Sequence, residues 1–245
     1  MSLDPIWMHI SQYLFHSFAP SLFEKGGTAY DFGANHGGFT EYLAKRFKHV
    51  VCVEPNPRFA LEQLAGNLTV LRCAVGWPAS TAWLRLDDVH VYSSLDEMAK
   101  ESDKVVRVDV MTLGQVFEGH NGDVVDFVKM DVEGSELDIL LHESPETLQR
   151  IKQLTVEFHD FLDPASLPRV KAALARMREL GFEVLRFSLT NHGDVLFLNR
   201  RFVHIGWIER GLTMLCFGWI RGIKRKLHRL LWPKADPPGA YTLLE

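Results

Sequence analysis

Thr28-Ala29-Tyr30-Asp31-Phe32-Gly33-Ala34-Asn35-His36-Gly37-Gly38 is the stretch that decides the fold. Thr28 to Phe32 is short, largely apolar and bounded by glycines, which reads as a buried strand. Gly33, Gly37 and Gly38 then mark a tight turn. Phe39, Leu43 and Phe47 fall on one face of a helix over 39–47. A strand, a glycine turn and a helix make half of a nucleotide-binding βαβ unit. Glycine suits the turn because a side chain would stand between ligand and backbone.

The loop spacing is Asp-x-Gly-x-x-x-Gly, with Asn35 where a dinucleotide site has its second glycine. That argues against a pyrophosphate, which needs bare backbone at a helix N-terminus. The next strand, Val50 to Val53, ends in Glu54. Glu54 follows Gly33 by 21 residues, close to the spacing at which an acid meets ribose hydroxyls in such folds. A carboxylate there accepts two hydroxyl hydrogen bonds and repels a 2′-phosphate. Pro55 and Pro57 end the strand, with Asn56 between them. A third strand, Thr69 to Val75, closes on the small residues Ala74, Val75 and Gly76, which leave room for an adenine edge.

Further on, Val124 to Met130 reads as another buried strand closed by Asp131. Glu133 follows, and Gly134-Ser135-Glu136 opens a helix through Leu137, Ile139, Leu140 and Leu141. Ligands bind at the carboxyl ends of strands in open α/β sheets. Three acids within six residues at such an end, Asp131, Glu133 and Glu136, are costly unless they bind something.

Asp31-Phe32-Gly33-Ala34-Asn35-His36-Gly37, Val53-Glu54-Pro55-Asn56 and Lys129-Met130-Asp131-Val132-Glu133-Gly134-Ser135-Glu136 together resemble the FkbM methyltransferase family. The resemblance runs from about Ala29 to Phe202, and the Lys129–Glu136 segment is its most specific part. It implies an α/β, Rossmann-like class I methyltransferase fold. That fold has a mostly parallel seven-stranded sheet flanked by helices and closed by an antiparallel hairpin. It implies S-adenosylmethionine as methyl donor and, usually, a hydroxyl oxygen as acceptor on a glycan, small metabolite or natural product. The expected cofactor residues are Asp31, Gly33, Asn35, His36, Gly37, Glu54, Asn56, Ala74, Val75 and Asp131. Ser94, in the linker Tyr92-Ser93-Ser94-Leu95, joins them on the resemblance alone.

The acceptor hydroxyl must lose a proton, which calls for a base or a metal. Glu157 and His159 sit two apart at the end of the strand Gln153 to Phe158, so they share a face, near Asp131 and Glu133. Three readings stay open. His159 is a general base held by carboxylates such as Glu157 and Glu133; Asp131, Glu157 and His159 hold a divalent metal; or Glu157 and His159 form a local pair. His192, in the turn Asn191-His192-Gly193, reads as solvated.

The chain has 245 residues, 47 % of them hydrophobic, enough for one α/β domain with terminal extensions. The expected units are an N-terminal helical cap (1–26), a methyltransferase domain (27–203) and a C-terminal amphipathic basic helix and tail (204–245). Ile6, Ile10, Leu14 and Phe18 suit one or two helices over 5–24. Residues 81–86 and 105–110 read as extra strands, Arg169 to Leu180 as a helix stopped by Gly181, and Phe182–Ser188 with Asp194–Leu198 as the closing hairpin. Cys52, Cys73 and Cys216 have no CxxC spacing, and Cys52 and Cys73 fall within the expected strands, which fits reduced core thiols in a cytoplasmic protein. No signal peptide is apparent.

The formal net charge is −4, yet residues 201–234 hold Arg201, Arg210, Arg221, Lys224, Arg225, Lys226, Arg229 and Lys234 against Glu209 alone. The acidic remainder does not suit nucleic acid as partner. Residues 204–232 read either as a helix packed on the domain or on a second subunit, or as a peripheral anchor at the inner membrane face. Trp207, Trp219 and Trp232 with the basic cluster carry the anchor reading. Two rivals to the enzyme reading are an NAD-dependent oxidoreductase and a catalytically silent cofactor-binding module.

Overall fold

The computed structural model describes residues 10–24, 26–86, 95–96, 105–119, 122, 124–160, 163–188, 191–203, 206, 211 and 240–242. The chain starts with β1 (Ser11–Tyr13) and β2 (His16–Phe18). Then come β3 (Thr28–Phe32), α1 (Gly38–Ala44), β4 (His49–Val53), β5 (Leu68–Leu71) and β6 (Ala74–Val75). The middle holds β7 (Ser80–Arg85), β8 (Leu95–Asp96), β9 (Val105–Met111) and α2 (Leu113–Phe117). After these come β10 (Phe127–Met130), α3 (Glu136–His142), α4 (Pro145–Gln149), β11 (Gln153–Val156) and α5 (Leu167–Glu179). The chain closes with β12 (Phe182–Arg186), β13 (Val195–Asn199) and β14 (Ala240–Thr242).

The main sheet runs β12-β13-β11-β10-β3-β4-β5. β11, β10, β3, β4 and β5 pair in parallel, while β13 runs antiparallel between β11 and β12. This is the expected seven-stranded, mostly parallel sheet with its closing hairpin. Phe32 pairs with Val53 on one side and Met130 on the other, and Met130 pairs with Val156. Register alone therefore sets Gly33, Glu54, Asp131 and Glu157 side by side at one edge. Tyr30, Phe32, Val128, Met130, Leu154 and Val156 fill the core on one face with Phe117, Leu140 and Val170. Phe18, Phe39, Phe47 and Phe127 fill the other. Each such side chain contributes about 2 kcal/mol by leaving water.

Three expectations change. The stretch read as one strand over 69–75 divides into β5 and β6, which lie in different sheets. Between them the Arg72 guanidinium leaves the strand line and donates to the carbonyls of Asn56 and Phe59 and to Glu62. β6, with β9, β7 and β8, makes a separate four-stranded sheet, so the extra strands are present.

The helices expected over 5–24 are instead, in the described part, the hairpin β1–β2 and a short 3-10 turn at Pro20–Leu22. The spacing of Ile10, Leu14 and Phe18 imitates a helix face. Long-range bonds win: Asp194 accepts from the Gln12 amide at 2.8 Å, the Ser17 backbone N–H at 2.9 Å and the Ser17 hydroxyl at 2.7 Å. Leu14 and Phe15 turn the hairpin with φ of 43° and 67°, a region that such side chains rarely adopt. β1 also pairs with β14, near the chain's end. The third change is His192, which is buried and donates its backbone N–H to Asp160, with ring Nδ1 2.8 Å from the same carboxylate.

Cys52 and Cys73 are free and buried. The basic helix expected over 204–232 lies outside the described residues, apart from 206 and 211. No described helix is long and apolar enough to cross a membrane.

Candidate active site

A cleft opens at the carboxyl edge of β3, β4 and β10. Its walls include Gly33, Asn35, Glu54, Ala74, Val75, Asp131 and Glu133, together with Phe59 and Leu84. It encloses about 620 Å³ with its open mouth, within the range of small-ligand sites.

Glu54 is nearly buried. Its Oε2 accepts the Asn35 N–H at 2.8 Å and its Oε1 accepts the Asn56 N–H at 2.9 Å. Burial pushes its pKa up, and those two amides oppose the rise. Each oxygen keeps capacity for another donor, as a ribose diol requires. Asn35 is held at φ 50°, and its buried Oδ1 has no hydrogen-bond partner. An orphaned acceptor in a cleft wall fits a ligand that brings N–H or O–H groups. Apolar Val75, Leu84 and Phe59 line the same cleft, as a purine face requires. The residues present therefore fit S-adenosylmethionine.

Two of the glycines are also fixed by their protein neighbours. A Cβ on Gly33, at φ 73°, would collide with the Asp131 carbonyl oxygen, and one on Gly37 would collide with Leu64. Their bareness lets protein close on protein, and that closure shapes the loop. Asp31 is fully buried beneath the loop. It accepts from the Thr40 hydroxyl at 2.7 Å and lies 3.4 Å from the Lys129 ammonium. Asn56 turns its side chain to the Arg58 N–H. The His36 ring meets Phe59 edge-on, with centroids 4.3 Å apart. None of Asp31, His36, Gly37 and Asn56 lines the cleft; they shape those that do. Ser94 lies outside the described residues.

The other end of the site is a cluster of charges. Lys129 points from the centre of β10 and donates to the Gly33 carbonyl at 2.7 Å, with Asp31 and Asp131 each at 3.4 Å. Burial works against its charge, but the two carboxylates outweigh it and raise its pKa. Asp131 would be raised by burial, yet Lys129, His16 and His159 hold it well below the usual carboxylate range.

Glu133 has φ 55°, a strained conformation for a residue with a side chain. Glu136 stabilises it: its carboxylate accepts from the Val132 and Gly134 N–H groups at 3.0 and 2.9 Å. Ser135, at the N-cap of α3, makes no side-chain cap bond. His159 Nε2 lies 3.2 Å from Glu133 and 3.8 Å from Asp131, and its Nδ1 lies 3.3 Å from Glu136. Burial disfavours the imidazolium, but the Glu136, Glu133 and Asp131 carboxylates raise its pKa to about 9. Burial lifts Glu133 to about 7, with His159 opposing and Asp131, Glu136 and Glu157 adding to the rise. Glu157 is raised too, by burial and then by Asp131.

The structure thus brings together Asp131, Glu133, Glu157 and His159, as their positions at adjacent strand ends predict. Sequence reasoning gave Lys129 and Glu136 no role of their own and missed His16. A lysine inside the apolar run Phe127–Met130 was a readable signal, and Glu136 stood in the quoted motif. His16 gave none, because its hairpin was read as helix.

Fold and site together define a class I methyltransferase. Residues 31–184 match the Methyltransferase FkbM domain, and the chain belongs to that family of S-adenosylmethionine-dependent enzymes. This sets the oxidoreductase reading aside. The AMB antimetabolite synthetase AmbE of Pseudomonas aeruginosa is 37% identical over 60 residues, 24% of this chain and 3% of that protein. The match therefore spans only a small fraction of the curated relative. Among solved structures, an rRNA methylase from Streptococcus thermophilus is 11% identical, covers 80% of this chain and 96% of its own, and has a TM-score of 0.42. A Streptococcus mutans protein in complex with SAH is 13% identical over 81% of this chain and 99% of its own, with a TM-score of 0.39.

Proposed function

We propose that the protein transfers a methyl group from S-adenosylmethionine to a hydroxyl oxygen of a small metabolite, natural product or glycan. The cofactor supplies an electrophilic methyl group and leaves as S-adenosylhomocysteine. Glu54 holds the ribose hydroxyls, Asn35 Oδ1 accepts from the ligand, and Ala74, Val75 and Leu84 border the base. One observation carries the acceptor chemistry: Glu133 stands in the cleft wall, in a strained backbone conformation, 3.2 Å from His159. A hydroxyl that becomes an ether oxygen must shed a proton, and Glu133 is the group placed to take it.

The base role expected of His159 therefore passes to Glu133. His159 carries a proton at neutral pH and sits outside the cleft lining; its part is to hold Glu133 and compensate its charge. The likeness of a short segment to an antimetabolite synthetase supports the natural-product side of the acceptor range. The acidic charge balance supports acceptors other than nucleic acid.

Methyl-labelled cofactor offered with panels of sugars, phenols and polyketide alcohols tests the proposal. Label should appear as an alkali-stable ether, and Glu133→Gln should lower the rate about a hundredfold or more while S-adenosylhomocysteine still binds. Label found on nitrogen or carbon would contradict hydroxyl transfer. Cofactor binding without transfer to any acceptor would favour the catalytically silent module.

A further inference from the structure

Asp131 faces two imidazoles, one on each oxygen, and the two arrangements differ. On the Oδ1 side, His159 and Glu133 are in direct contact at 3.2 Å, so that group is closed. On the Oδ2 side, His16 Nε2 lies 3.7 Å from Asp131 and 3.9 Å from Glu157 Oε2. Both gaps are too long for a hydrogen bond. Yet His16 is 1% exposed, and this nitrogen is aimed between two carboxylates. A buried imidazole held short of bonding contact with two acids calls for a third party.

The spacing identifies it. Two donors bonded to one ion at about 2.1 Å each stand at most about 4.2 Å apart, and both gaps fall inside that limit. The three donor atoms all lie within 4.8 Å of one another, so a small closing movement completes the set. The ring is already oriented. Its Nδ1 is 3.5 Å from the Thr155 hydroxyl, and the ring packs at 87° to that of Phe39, the kind of outer support that fixes a ligating histidine. Charge agrees. Asp31 and Asp131 share the ammonium of Lys129, which lies 3.4 Å from the same Asp131 oxygen, and Glu157 adds a third carboxylate whose pKa is raised by burial and by Asp131. A divalent cation would balance the remainder.

We propose that His16, Asp131 and Glu157 form a binding site for one divalent first-row cation. One imidazole and two carboxylates form a donor set shared by manganese and zinc. Of its three ligands Asp131 lines the cleft beside Glu133, while His16 and Glu157 lie outside its lining, so its purpose rests on the methyl-transfer reading: an ion held there would reach the acceptor hydroxyl past Asp131 and lower its pKa. The hairpin β1–β2, pinned to Asp194, then delivers a ligand to the site.

The full chain, stripped with chelator, should be titrated with Mn²⁺ while free ion is read by electron paramagnetic resonance. Zn²⁺ should be titrated by calorimetry, and S-adenosylhomocysteine binding measured on the same samples. The expected result is one ion per chain. His16→Asn should weaken it at least tenfold, since losing outer support alone costs about 10–100-fold. His159→Asn, in the closed group, should leave ion affinity within about threefold. If His16→Asn does not fold, Glu157→Gln takes its place. Uptake of neither ion by the wild type, with S-adenosylhomocysteine still bound, would overturn the site. So would an ion lost on His159→Asn and kept on His16→Asn. Ion uptake without S-adenosylhomocysteine binding would uphold the site and sink the cofactor reading instead.

Discussion

Two carboxylate centres stand at the ends of the strands that flank β3, and they are held in opposite ways. Glu54, after β4, is fixed by two backbone N–H groups from its own loop and the glycine loop. Asp131, after β10, is fixed by side chains: Lys129 within its strand, His16 from the N-terminal hairpin and His159 beyond β11. Backbone donors give a rigid acceptor for a constant ligand. Charged side chains gathered from three elements keep Asp131 ionised, a fixed charge beside His159 and beside Glu133, whose pKa is raised to about 7, as proton movement requires.

The comparison breaks most severely at Lys129. Lys129→Met leaves buried Asp31 and half-buried Asp131 without the cation they share, and should cost about 3–5 kcal/mol in chemical denaturation. Gly33→Ala comes next: the left-handed φ and the collision with the Asp131 carbonyl should cost about 3 kcal/mol, read as a lowered melting temperature. Glu54→Ala should leave folding intact and weaken S-adenosylhomocysteine about a hundredfold, the equivalent of two charge-assisted hydrogen bonds.

A pH series sharpens the same point. Burial raises the Glu54 pKa; in the proposed ribose contact the ionised form accepts the hydroxyls, so protons would compete with the ligand. Affinity should therefore fall as pH is lowered, starting above the ordinary glutamate value of about 4.3. Glu54→Gln should be weak and flat over that range. The smallest effect is expected from Asn35→Gly, which keeps the left-handed turn but removes the orphaned oxygen. It should cost about fivefold in affinity, near 1 kcal/mol.

The same divide explains what could be read in the sequence. Around Glu54 everything is local: the apolar run to Phe32, the glycines and the offset to Glu54 lie within one βαβ unit, so order along the chain reports order in space. At Asp131 the acids were legible as strand-end residues, and parallel pairing brought them together. His16 was not legible. Its hairpin exists because Asp194 bonds Gln12 and Ser17 from far along the chain, and no local pattern announces such a contact. The apolar spacing over 10–18 pointed to helix, and only the tertiary bonds reversed it. Lys129 was the overlooked signal, since a charge inside a fully buried strand must meet its opposite.

The division of labour between the two centres is tested most directly by calorimetric titration of S-adenosylhomocysteine into wild type, Glu54→Ala and Glu133→Gln, with NAD as control ligand. The account predicts binding to wild type, near-wild-type binding to Glu133→Gln, about a hundredfold loss in Glu54→Ala, and no heat with NAD. Equal affinity in wild type and Glu54→Ala, or no binding at all, would contradict it.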